Sequence, residues 1–327
     1  MPTLLNDDFS LSTLCQGINT APVSFGPVAN ESLFTQAPGT TVDIEIEKID
    51  ETLTLIQTSL RGGIGDMHPT TRRSMVKLKA PHIRTSSTIL ADSWQGRTGF
   101  NQKGSPANVL TERDRILGEH RRRIEATIDF HMTRALAGQV LDADGSVLVD
   151  LLAEFGVSQA MVDCGLDTGS TNVTNKLIAA RRLSESELGI FTAKSWVAFA
   201  DAEYMDALRA HPSIEAALAG HTAATLMIAD HRSGDLVVGG IRFIEVPNRA
   251  GHTYIDAGTA YLCPEGIPQM FMTNFAPADY VDSVNETALP LYSRGHELPF
   301  NRGVMVESQA NPISIVTRPR AVIKLTA

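Results

Sequence analysis

The sequence predicts an α+β protein, with helices concentrated before about residue 218 and strands after it. Three stretches carry that prediction. Residues 111–138 place Ile116, Leu117, Ile124, Ile128, Met132, Ala135 and Leu136 at mostly three- and four-residue spacing, which keeps one helix face apolar. Val42, Ile44 and Ile46 alternate with Asp43, Glu45 and Glu47, the period of a half-buried strand. Beyond residue 222, the runs ATLMIAD, LVVGGIRFIEV, TYIDAGTAYLC and QMFMTNFA follow one another as strands.

In chain order, residues 1–42 contain Pro2, Pro22, Pro27 and Pro38 without a sustained period. They predict an extended arm anchored by Phe9, Leu11, Leu14, Phe25 and Phe34. An arm with anchors but no core must lie on something else, its own chain or a neighbour. Strands occupy residues 43–60. At Arg61 the composition turns basic: Arg61, Arg72, Arg73, Lys77, Lys79, Arg84, Arg97 and Lys103 are balanced only by Asp66 and Asp92. Gly62, Gly63 and Gly65 permit a hinge at its base, and MVKLK and IRTSSTIL read as a two-stranded ribbon. Two readings stand for this segment: an excursion that meets acidic surface outside its own core, or a solvated basic loop. Aromatic residues beyond Trp94 and Phe100 are missing, which disfavours a nucleic-acid grip.

The long helix has Thr111 as a candidate N-cap, Glu112 and Asp114 at its positive end and Gly138 as its stop. Its other face carries Arg113, Arg115, Arg121, Arg122, Arg123 and Arg134 against Glu119, Glu125 and Asp129. At full length it would run roughly 42 Å, a scaffold-like element or a long solvent-facing helix. A hairpin follows over 140–152, turned by Asp142-Ala143-Asp144-Gly145, which lacks the downstream oxygen ligands of a calcium loop. Further helices are predicted over 173–188, 195–210 and 212–218. The tail from Gly303 reads as two strands bounded by Pro312 and Pro319.

A chain of 327 residues with 43% hydrophobic and 20% charged residues has the composition of a folded protein. The opening MPTLLNDDFSLSTLCQG shows no basic-then-apolar secretory pattern, and no uninterrupted apolar run is long enough to span a membrane. Cys15, Cys164 and Cys263 are far apart, which suits a reducing compartment and opposes a disulfide framework or a zinc site. The net charge of −9 argues against the whole chain gripping nucleic acid.

Motifs that carry chemistry are missing. Gly62-Gly63 and Gly239-Gly240 lack the spacing of a phosphate or dinucleotide loop, and no GxSxG elbow occurs. His120 and His131, eleven apart on the long helix, read as packing residues; His211, His221 and His231 share no face. No catalytic residue, metal site or cofactor is expected.

Several segments together resemble the major capsid proteins of lambda-like tailed phages, the phage capsid protein E family. They are Arg61-Gly62-Gly63 ahead of the basic stretch, Pro81-His82 with Ile89 to Asp92, and the arginine-rich helix running into RALAGQVLDADGSVLVD. Phe155-Gly156, then PEGIPQMFMTNFAPADYVDSVNETALPLY and QANPISIVTRPRAVIKL, complete the set, with Ala276 to Asp279 the most specific piece.

The resemblance implies the tailed-phage capsid fold. It would have an N-terminal arm (1–42), peripheral-domain strands (43–60), an extended basic loop (61–105) and a spine helix with hairpin (106–155). An axial domain (156–290), a return to the peripheral domain (291–312) and a C-terminal axial strand (313–327) would follow. It implies hexamers and pentamers of the chain itself, forming an icosahedral shell around double-stranded DNA after procapsid maturation. Scaffolding protein, portal and a decoration protein are the implied partners. Arg61, Arg72, Arg73, Lys77, Lys79 and Arg84 become candidates for intersubunit contact, and Gly62, Gly63 and Gly65 for the hinge. The alternatives are the shell of a cellular nanocompartment with the same fold, and an α+β enzyme without a recognisable motif.

Overall fold

The computed structural model describes residues 9–21, 26–49, 73–90, 109–219, 236–249 and 251–327. Contacts divide the chain into two units. One comprises Met1–Ile44, Lys79–Met132 and Met272–Ser314; the other comprises Glu45–Leu78, Thr133–Phe271 and Ile315–Ala327.

The first unit begins with a helix where an extended arm was expected. Helix α1 (Leu11–Thr20) is capped by Ser10, whose hydroxyl accepts the Thr13 N–H at 3.3 Å. Leu14, Cys15 and Ile18 are buried on one face, a spacing short enough to be masked by the surrounding prolines and glycines. Helix α2 (Pro27–Asn30) is a single turn that starts on proline. Strand β1 (Thr35–Pro38) pairs in parallel with β12 (Phe271–Phe275), which also neighbours β15 (Pro312–Val316).

A second sheet has the order β13 (Tyr292–Glu297), β14 (Gly303–Ala310), β4 (Ile83–Leu90), antiparallel throughout. This corrects the two-stranded ribbon: β4 pairs with β14, while β3 (Arg73–Lys79) pairs with β2 (Asp43–Ile49). The reason is length. β14 offers an eight-residue edge over which every residue of β4 finds a partner, from Gly303↔Leu90 to Ala310↔Ile83.

The long helix is α3 (Val109–Leu136), 28 residues as its period implied. It starts two residues before Thr111, so Thr111 lies inside the helix, and Gly138 takes φ +85° just past its end. Its last turns are buried on every side. Asp129 and Arg134, which periodicity placed on the solvent face, are 1% and 8% exposed.

The second unit is built on a six-stranded sheet of order β7 (Met161–Asp163), β16 (Ile323–Thr326), β11 (Thr259–Glu265), β8 (Ser195–Ala200), β10 (Ile241–Glu245), β9 (Leu236–Val238). Here the sequence reading of 195–210 as one helix is wrong. SWVAFA forms a central strand buried from Trp196 to Ala200, and helix α6 (Ala202–Ala210) begins only after it. A continuous apolar run has no period to tell strand from helix, whereas Asp201 marks the break by accepting the Glu203 N–H at 3.1 Å. Gly239 and Gly240, at φ +59° and +75°, make the two-residue turn between β9 and β10.

Helix α5 (Val173–Glu187) is capped by Asn172, and α7 (Pro212–Ala219) opens on its proline as expected. The hairpin is β5 (Gln139–Leu141) and β6 (Val147–Asp150), and Leu151–Phe155 turns into helix α4, because Asp150 caps it through the Ala153 N–H at 2.9 Å. The tail contributes three strands, β14, β15 and β16, not two.

Candidate assembly surfaces

The exposed part of α3 carries a ladder of ion pairs. Arg115 contacts Glu112 at 2.7 Å and Glu119 at 3.2 Å, and Arg123 contacts Glu119 at 2.6 Å. Such solvated pairs contribute about 0.3–0.5 kcal/mol each, so they keep the helix soluble and straight more than they hold the fold together. The less exposed charges act differently, because they bind the arm. The Arg121 guanidinium donates to the carbonyls of Ile18 (2.9 Å), Asn19 and Ala21 (2.7 Å), where α1 ends and its carbonyls lack helical partners. About two turns further on, the Asp129 carboxylate accepts the Ala29 N–H of α2 at 3.0 Å.

Beside these contacts lies a cleft of about 730 Å³ lined by Gln16, Asn19, Arg121, Glu125, Phe275 and Leu289. Burial pushes the Glu125 carboxyl above its usual range, Arg121 pulls it back down, and Asp129 pushes it up again.

The sheet β13–β14–β4 has two chemically distinct faces. On the side of α3, His120 is held between Ser308 (2.9 Å) and Ser87 (2.8 Å), so its polarity is satisfied inside the unit. The opposite face is a charged network. Arg84 pairs with Glu307 at 3.4 Å, Arg294 with Asp282 at 3.3 Å, and the Tyr280 hydroxyl donates to Glu307 at 3.3 Å. Arg294 also lies over the Tyr280 ring, 5.4 Å from its centroid, and burial lifts the Tyr280 pKa to about 12.

The Ala276–Asp279 tetrad finds its partners here. Asn311 donates to the Pro277 carbonyl at 2.7 Å and accepts the Ala276 N–H through its own carbonyl at 2.9 Å. Gln309 donates to Asp279 at 2.7 Å. The most specific piece of the resemblance, 276–279, and residues 309–311 of another matching segment are therefore each other's binding site.

The three thiols are buried, and burial raises each of their pKa values, which suppresses the thiolate. Among the described residues no group of His, Cys, Asp and Glu is placed to hold a metal ion, and no helix is long and apolar enough to cross a membrane.

The family described as phage major capsid protein E matches residues 10–327. The chain belongs to that family. It shares 23% identity over 350 residues with the major capsid protein of Pseudomonas phage KPP10, covering 99% of this chain and 98% of that one. With the major capsid protein of Salmonella phage Felix O1 it shares 21% over 357 residues, covering 98% and 96%. In fold it is similar to the capsid asymmetric unit of cyanophage Pam1, with a TM-score of 0.56 at 13% identity over 90% of this chain and 88% of that one. The fold is the tailed-phage capsid fold, and the function is that of the family: the main protein of a phage head shell, located in the virion capsid.

Of the residues singled out from the sequence for intersubunit contact, Arg61 and Arg72 lie outside the described residues, as do the hinge candidates Gly62, Gly63 and Gly65. Arg73 opens β3. Lys77 and Lys79 share with Met75 the exposed side of β3, while Val76 and Leu78 are buried on the other. Arg84 already has a partner in its own chain, Glu307, because β4 is drawn into the sheet with β14. Arg121, Asp129, Gln309 and Asn311 were not singled out as functional. Their signal is a buried polar group needing a distant partner, and spacing within one element does not reveal it.

Proposed function

We propose that this chain builds its shell through head-to-tail contacts between copies of itself in hexamers and pentamers, and acts by binding, not by catalysis. In this reading the second unit's six-stranded sheet forms the axial domain at the capsomer centre, and α3 with the sheet β13–β14–β4 forms the peripheral domain. The axial domain of this reading extends to residue 290, and residues 276–279 within it are tied to Gln309 and Asn311. The observation that carries the reading is the family match over residues 10–327. Its relatives being phage capsid proteins favours a virion over a cellular compartment.

The basic stretch 61–105 docks on the acidic surface of the neighbouring copy, hinged at Gly62, Gly63 and Gly65. What supports this is the exposed row Met75, Lys77, Lys79 on β3 in a chain whose net charge is −9. Opposite charge steers docking and fixes register, while apolar burial provides most of the affinity. The same negative charge lets a wall enclose double-stranded DNA without clinging to it. Scaffolding protein, portal and a decoration protein complete the assembly in this reading.

The test is to reverse Arg72 and Arg73 to Glu and follow sedimentation. The unaltered chain should give megadalton particles, visible by negative-stain microscopy. The variant should stay folded by circular dichroism and remain in small species. Normal particles from the variant would refute docking through the basic stretch.

A further inference from the structure

The loop between β13 and β14 exposes an aromatic ring in an unfavourable backbone conformation. Leu298 N–H donates to the Gly303 carbonyl at 2.9 Å, closing the loop, and Phe300 sits at its tip with φ +61° and ψ +23°. That is the left-handed region, costly for an L-residue with a bulky side chain. The ring is 89% exposed, with the Arg302 guanidinium of the same loop 5.4 Å from its centroid. Strain and an exposed aromatic both cost free energy in the free subunit, which points to repayment elsewhere.

The same unit carries a surface of matching character. The turn at residues 281–286 exposes Val281 by 87% and Val284 by 63%, flanked by Asp282 and the exposed Glu286. Asp282 is engaged by Arg294 at 3.3 Å, which leaves Glu286 as the acid positioned to meet an incoming cation. One surface presents an aromatic with a cation; the other presents two aliphatics with an anion. Each stays exposed within its own subunit.

We infer that the Phe300–Arg302 tip of one copy packs on the 281–286 turn of a second copy, Phe300 against Val281 and Val284 and Arg302 against Glu286. This rests on the self-assembly reading above. The two patches differ, so the contact is heterologous and propagates from copy to copy until a rotation closes it.

The experiment compares assembly and subunit stability for Phe300→Gly, Arg302→Glu, Glu286→Arg and the charge-swapped pair. Glycine accepts φ +61°, so the melting temperature of the unassembled Phe300→Gly subunit should hold or rise. Its shell yield in sedimentation should fall by about tenfold or more, the scale of a lost aromatic anchor. Each charge reversal alone should impair assembly, and the swapped pair should restore it. Wild-type assembly by Phe300→Gly, a lowered melting temperature for that subunit, or a swapped pair no better than its single variants would each overturn the contact. Failure of the unaltered chain to form particles would refute the shell reading and this contact with it.

Discussion

Helix α2 has an unusual cap, and its energetics can be isolated by mutation. Its N-cap residue is Gly26, at φ −76° and ψ 172°, which has no side chain to accept an N–H. Asp129 substitutes from a hundred residues away: its Oδ1 accepts the Ala29 N–H at 3.0 Å. A Cβ placed on Gly26 would lie 1.7 Å from Asp129 Oδ2, so the carboxylate occupies the space a local cap would need. Asp129→Ala should cost about 1–2 kcal/mol, the range for a lost N-cap. Gly26→Ser alone should also destabilise, by about 1 kcal/mol or more, because its Cβ collides with the carboxylate. Together they should cost less than the sum by at least about 1 kcal/mol. Serine suits an extended N-cap, and removing the carboxylate gives it room. Urea unfolding of the unassembled subunit measures all three values, provided m is unchanged. Strict additivity would show that Asp129 does not act as the cap of α2.

Two further effects should be measurable in the same subunit. Burial lowers the His120 pKa below 6.5, with Glu119 raising it and Arg123 lowering it less. The unfolded chain therefore binds the proton more readily, and stability rises with pH. Acidification below pH 6.5 should therefore destabilise the wild type through this group. His120→Gln should lack that component, and equal slopes would refute it. Asn311→Ala should cost about 1–3 kcal/mol through the exposed need of the Pro277 carbonyl and the lost contact to His82 Nδ1 at 2.7 Å; a loss under about 0.5 kcal/mol would show that the tetrad is held by other means.

The long helix was legible because a period sustained over 28 residues cannot be produced by a strand, and the strand at Asp43–Ile49 was legible from its alternation. What failed were signals without a period. SWVAFA is buried too completely to alternate, and α1 is too short to stand out among prolines. The pairing of β4 with β14 joins residues more than two hundred positions apart, and no local pattern encodes a partner that distant. The site divides in the same way. The exposed lysines of β3 were visible as a basic run, whereas Arg121 and Asp129 were read as surface charge because a helical wheel cannot show that the arm covers them.

That last distinction makes arginines on one helix energetically unequal. Arg123 and Arg115 have side chains 65% and 58% exposed, paired with acids on their own helix. Replacing either with Ala should cost the isolated subunit less than about 0.5 kcal/mol. The Arg121 side chain is 13% exposed and serves the carbonyl end of α1 as well as Glu125 at 3.7 Å. Arg121→Ala strands those carbonyls and leaves Glu125 without its partner, which should cost about 2–4 kcal/mol. Arg121→Lys should recover only part of it, because an ammonium cannot reproduce the planar spread of a guanidinium. Equal losses at Arg121 and Arg123 in urea unfolding would refute the claim that the arm is pinned through Arg121. The predicted inequality would separate the charge that holds the subunit together from the charge left at the surface for other copies to meet.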